Sequence, residues 1–272
     1  MMKKIFAVFA IVSVMCSLSA QKVSESVTIF GKDQLSGFTT TIENTTMDIV
    51  ENALADKFET QFGMKGSKKK GFRVYESQPC SAFGESRYDI YFTTAEIGKK
   101  KDKSTQVILV VSTGNLNCVT FNNDPRTSRN IVTFLEALPY DVEAYKIKMR
   151  INTLETELAN LKKERESIEK NRAKVNDKIN KANDEAKKLS NDIEKKTAEI
   201  EKLQDNFNHS QDATVKDQIS KAVKEKQTLL KTQSNNQKSL LNLNNETVKL
   251  NKKLEEVTKA IEEKEAELKK LK

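Results

Sequence analysis

From residue 147 to residue 271 apolar side chains recur in steps that alternate strictly between four and three residues. One run passes from Ile147 and Ile151 through Leu154, Leu158 and Leu161 to Ile200 and Leu203; a second passes from Val215 and Ile219 through Ala222 and Leu229 to Leu268 and Leu271. Each run has seventeen positions, fourteen of them apolar in the first and twelve in the second. That spacing is the a/d seam of a coiled coil. The seam commits half the chain to long helices that each bury one stripe against another helix.

Phase distinguishes a hairpin from one uninterrupted helix. Carried past Phe207, the first register predicts seam positions at 210, 214 and 217, whereas the second run uses Val215 and Ile219. A continuous coiled coil most readily absorbs insertions of three or four residues, and this offset is neither. Residues 205–214 are rich in Asn, Asp and Ser, which favour turns and caps, and Thr214 with Asp217 has the spacing of a capping box. The expectation is an antiparallel coiled-coil hairpin over 141–272 with its tip near 205–214. Paired residue numbers should then total about 418, setting Lys264 near Leu154, Lys196 near Ala222, Arg172 near Glu246 and Asn236 near Ala182. A parallel dimer with a local discontinuity is the competing arrangement.

Upstream the composition is different. All eight glycines and all three prolines lie at or before Pro139, as do eleven of the twelve phenylalanines. Strand patterns cover 26–30, 37–42, 72–75, 88–92, 107–111 and 116–121. A helix from Thr45 or Thr46 carries Met47, Val50, Leu54 and Phe58 on one face and ends at Gly63. Asp124-Pro125 reads as a cap followed by proline at the first helical position. Pro139 should stop that helix, and Asp141 should cap the next. The fold class is α+β, a two-layer ββαββββα domain over 21–140 followed by the hairpin.

The chain opens with Met1-Met2-Lys3-Lys4, an apolar run from Ile5 to Met15 and small residues ending at Ala20. This is the pattern of a secretory signal peptide over 1–20, of bacterial type, and predicts a periplasmic or secreted protein. No other segment approaches membrane-spanning length. Cys80 and Cys118, an isolated pair in an exported chain, are expected to form a disulfide. Residues 21–140 carry 15 basic and 14 acidic side chains and residues 141–272 carry 30 and 25, so neither half has the basic excess of a nucleic-acid binder.

Candidate chemistry is sparse. The single histidine, His209, sits at the expected tip, far in sequence from either cysteine. There is no zinc-ligand spacing, phosphate loop or dinucleotide fingerprint, so no cofactor or metal is expected. Two lysine loops are the one surface feature with a chemical implication: Lys65, Lys68, Lys69 and Lys70 before the third strand, and Lys99, Lys100, Lys101 and Lys103 after the fourth. If those strands pair as a hairpin, both loops share an edge, where clustered ammonium groups can hold an anionic envelope component. Signal, small domain and helical hairpin together are similar in layout to periplasmic adaptor and scaffold proteins, an analogy of architecture. The leading expectation is a non-catalytic exported interaction protein whose globular domain binds a partner and whose coiled-coil rod acts as a spacer or docks a protein partner. The alternatives are a module binding an anionic glycan or lipid head group, and an enzyme or enzyme regulator.

Overall fold

The computed structural model describes residues 22–98 and 103–272. The expected signal segment and Lys99, Lys100 and Lys101 lie outside the described residues. The chain divides into two compact units, one up to Arg150 and the other Ile151–Lys272.

The first unit is built on one antiparallel sheet. Its strands are β1 (Ser24–Phe30), β2 (Asp33–Ile42), β3 (Ser67–Lys69), β4 (Phe72–Pro79), β5 (Arg87–Ile97) and β6 (Ser104–Ser112). They stand in the order β1-β2-β6-β5-β4-β3. Helix α1 (Met47–Asp56) ends in a π-helical turn, Lys57–Gln61. Gly63 at φ +66° follows it, and the Met64 N–H reaches back to the Phe58 carbonyl, which closes the helix as the glycine predicts. Helix α2 (Pro125–Ser210) opens as expected on Asp124, whose carboxylate accepts the Thr127 N–H at 3.0 Å. That bond lowers the pKa of the carboxyl.

The order ββαββββα holds, but not with all the expected members. The stretch 116–121 is not a strand: it makes one isolated bridge, Ser112 to Cys118. Asn115 and Leu116 both have positive φ, which breaks extended pairing before it starts. The sixth strand is instead β3, three residues inside the first lysine loop. Pro139 does not end a helix either, since α2 runs straight through it. Leu135, Leu138 and Val142 are all buried on one core across that position. Asp141 is no cap; it ion-pairs with Lys57, whose ammonium also lies 4.4 Å from the centre of the Phe134 ring. This packing outweighs the roughly 3 kcal/mol that an interior proline costs.

Alternation sends each strand's side chains to two faces. On the helix side, Phe38, Ile90, Phe92, Leu109 and Val111 meet Val50, Leu54, Phe58, Ile131 and Leu135 in the main core. The other face has no helix, yet Phe30, Leu35, Phe72, Val74, Tyr91 and Val110 form a second buried cluster there. Phe30 lies 5.5 Å from Phe72 and 5.1 Å from Tyr91, ring centre to ring centre, although β1 and β4 stand first and fifth in the sheet. The sheet therefore curls until the tip of the β1–β2 hairpin crosses its open face. Gly37 makes this bend possible: a Cβ there would sit 2.6 Å from the Leu109 carbonyl oxygen. Its partner strands change at the same point, because β6 pairs with β2 only from Phe38 onward.

The second unit is the antiparallel helical hairpin, the remainder of α2 packed along α3 (Ala213–Leu271). Every expected seam position from Ile151 onward is buried or half-buried; Ile147, in the first unit, is exposed. The tip is tighter than expected. Helix α2 continues to Ser210, Gln211 turns at φ +52°, and Asp212 caps α3 by accepting the Thr214 N–H at 2.8 Å. Asp212, not a Thr214–Asp217 box, is thus the cap. The later turn shifts the pairing by about one helical turn. Lys264 meets Glu157 rather than Leu154, Lys196 meets Glu225 rather than Ala222, and Asn236 meets Glu185 rather than Ala182. Arg172 reaches Asn251 at 3.5 Å instead of Glu246.

Candidate functional site

The strand pairing brings the first expected lysine loop and Gly98, the last described residue before the second, to one end of the sheet. Strands β4 and β5 are antiparallel neighbours, with Arg73 opposite Phe92, so the turn before β4 lies at the end of the sheet where β5 finishes. Lys70 and Gly71 form the β3–β4 turn with φ of 51° and 81°, the two left-handed residues that a tight hairpin of this twist requires. Here a lysine takes a position usually held by Asn or Gly. Its side chain extends over the Phe30 ring, ammonium 4.5 Å from the centre, and fills the space where Gly31 would carry a Cβ.

The described lysines of this end are largely engaged within the unit. Lys68 pairs with Glu51, Lys69 with Glu76 and Lys103 with Glu96, while Lys65 is exposed. Between the β3–β4 turn and α1 lies a cleft of about 300 Å³, lined by Lys68, Lys69, Lys70 and Arg73 with a single carboxylate, Glu51. Met47, Phe92 and Thr93 contribute apolar and hydroxyl surface to it. The cleft is basic, but exposed pairs of this kind contribute little to stability and exchange partners readily.

Arg73, which lines the cleft, also belongs to a network that sequence reading did not single out. Glu59 stands on the π-helical turn and accepts from Arg73 Nη2 at 2.6 Å and from the Tyr75 hydroxyl at 3.3 Å. Burial first, then the carboxylate of Glu59, push the Tyr75 phenol up to about 12. The hydrogen bond to Glu59 raises Arg73 further. Tyr75 is therefore a neutral donor, not a base or nucleophile, at any physiological pH. Because its pKa is higher in the folded chain, the unfolded chain loses the proton first as pH rises. Stability should fall between pH 10 and about 12, by about 2–3 kcal/mol from this group. Denaturant unfolding at stepped alkaline pH checks this: Tyr75→Phe should flatten that part of the profile relative to the wild type.

Cys80 and Cys118 are both free thiols, which corrects the expected disulfide. The sheet separates them: Cys80 belongs to the helix-side core and Cys118 packs on the cluster of the opposite face. Burial raises the pKa of each thiol and lowers its reactivity. His209 contacts the Asp205 carbonyl at 2.8 Å and stands in the second unit, whereas both cysteines are in the first. Among the described residues no three His, Cys, Asp or Glu side chains gather as metal ligands. No described helix is long and apolar enough to cross a membrane.

The hairpin carries polar groups at buried and half-buried seam positions. Asn236 is buried and donates to Glu185 at 3.1 Å. Lys196 bridges Glu199 at 2.6 Å and Glu225 at 2.8 Å. Such positions weaken a seam while restricting its register. Outside the seam, Leu230, Leu241 and Val248 are exposed on α3. No protein family, characterised protein or solved structure matches the chain.

Proposed function

We propose that the chain is a non-catalytic exported interaction protein that docks a protein partner along its helical hairpin. The observation that carries this reading is the intrachain closure of the seam. Leu158, Leu161, Ile168, Leu250, Leu254, Val257 and Ile261 cover one another within a single chain. A helix pair that satisfies its own seam needs no second chain to fold, and its outer faces stay available. Each arm offers surface over roughly 85–90 Å at 1.5 Å per residue. The polar seam positions support the same reading, since a fixed register presents a fixed surface. Export rests on the Lys3-Lys4, apolar-run and Ala20 pattern. Photo-crosslinking residues placed singly at Leu230, Leu241 and Val248 in the native host test the proposal. It expects discrete crosslinked protein bands from at least one position, and their absence at all three would count against a hairpin partner.

A second reading, an anion-binding module, is favoured by the basic cleft beside Lys68, Lys69, Lys70 and Arg73. On this reading Lys69→Glu with Lys100→Glu weakens binding to vesicles containing anionic lipid. At about 1 kcal/mol per basic residue the loss at low salt is roughly thirtyfold. Vesicle co-sedimentation at two salt concentrations measures it, and equal binding by wild type and double variant would count against an anion-binding role for the loops.

A further inference from the structure

The two edges of the sheet are protected very differently. At one edge β3 is three residues long and carries Lys68 and Lys69, the short, charged form that blocks edge-to-edge pairing. At the other, β1 runs seven residues, Ser24–Phe30, with no lysine, no proline and no bulge in its pairing with β2. Beside exposed Ser24 and Glu25 it carries two large apolar side chains in the open: Val27 is 56% and Ile29 68% accessible. Phe121, 41% accessible, lies on the same face, its N–H bonded to the Glu25 carboxylate at 2.7 Å.

The register shows which backbone groups are free. Phe30 and Asp33 close a two-residue turn with Gly31 at φ +70°, so they form a hydrogen-bonded pair. Hydrogen-bonded pairs alternate along an antiparallel ladder. Phe30, Thr28 and Ser26 therefore point their N–H and C=O groups at β2, and Ile29, Val27 and Glu25 point theirs outward. Among the described residues these groups face no neighbouring strand, and two of the three residues that carry them, Val27 and Ile29, have exposed apolar side chains.

We propose that β1 is a homotypic interface, two copies of the chain joining antiparallel through this strand into one continuous sheet. The sequence is self-complementary about Thr28. Pairing there sets Val27 opposite Ile29 of the second copy, twice, so each copy's exposed apolar pair covers the other's. It sets Glu25 opposite Gly31 and next to Lys32 of the second copy, and places no like charges opposite each other. Every outward-pointing residue meets an outward-pointing residue, as the ladder requires. This interface is independent of the hairpin, so a partner on the hairpin and a second copy on β1 can be gained or lost separately.

The test uses the full mature chain. Sedimentation at tens of micromolar should show a dimer, and Val27→Lys with Ile29→Lys should give a monomer that keeps the wild-type circular dichroism spectrum, its melting temperature no longer dependent on concentration. Thr28 meets itself across the two-fold axis in a non-hydrogen-bonded pair, where Cα atoms lie about 4.5 Å apart, within disulfide reach. Thr28→Cys should accordingly give a covalent dimer on mild oxidation, with the 28–28 bridge identified by peptide mass spectrometry. Ser67→Cys, at the protected edge, should give none. A monomeric wild type overturns the proposal. So does a dimer that survives the lysine pair and yields no 28–28 bridge, which would place the contact elsewhere, the hairpin included.

Discussion

Phe58→Ala lowers the stability of the first unit by about 3–5 kcal/mol. Phe58 is fully buried where α1 gives way to its π-helical turn. Its ring centre lies 5.1 Å from Tyr75, 5.4 Å from Phe134, 6.0 Å from Phe92 and 6.2 Å from Phe62. It thus joins α1, the sheet and α2, and truncation leaves a cavity bounded by three elements that cannot all close on it. All five tyrosines lie within the first 150 residues, so tyrosine fluorescence during urea unfolding reports this unit. Phe58→Leu, which keeps most of the volume, should cost about half as much. A Phe58→Ala midpoint within 1 kcal/mol of wild type would mean that the core is centred elsewhere.

Gly37→Ala should cost about 3 kcal/mol, the upper end for overpacking. The added Cβ would lie 2.6 Å from the Leu109 oxygen and 2.7 Å from Val110 Cγ2. The first of these is backbone in the middle of the sheet and cannot rotate away. Relief requires β2 to swing off β6, which carries Phe30 and Leu35 away from Tyr91 and Val110. Amide hydrogen exchange should then rise in β1 and in β2 before Gly37, with β4–β6 less affected. Gly63→Ala is the comparison, since no atom lies within 4 Å of its Cβ and only the positive φ opposes it, at about 1 kcal/mol. A neutral Gly37→Ala would show that the hairpin does not bend across the sheet at this point.

The parts of the fold legible in the sequence are those set by local periodicity. Seam residues from Ile151 to Leu271 repeat on one helix face, and the structure buries them in whole or in part. Gly63 and Asp124 act as the stop and start signals they resemble. What was not legible depends on contacts between distant segments. Pro139 reads as a helix end because its local cost is plain, while the compensating contacts of Leu135 and Val142 are not. Residues 116–121 read as a strand because β-branched and aromatic residues cluster there, yet the two left-handed residues before Cys118 rule it out. The expected pairing of the cysteines follows from compartment alone, while the sheet that separates them is built from strands distant in sequence. The hairpin register slipped by one turn because Gln211, without being glycine, takes the left-handed position and lets α2 run on to Ser210. For the candidate site, the lysine loops were visible as composition, but their ion pairs to Glu51, Glu76 and Glu96 come from neighbouring elements. The bare edge of β1 emerges only once strand order is known.

Helices α2 and α3 close on each other within one chain. Cysteines replacing Leu161 and Ile261, two seam residues of one buried cluster, test this closure most directly. Antiparallel packing brings the helix axes to within about 8–10 Å at this layer. Mild oxidation of the full chain should therefore give an intramolecular 161–261 disulfide at monomer mass, identified by peptide mass spectrometry. In one uninterrupted helix the two positions are roughly 150 Å apart at 1.5 Å per residue. Disulfides linking 161 to 161 and 261 to 261 between chains, with no 161–261 bridge, would contradict the hairpin.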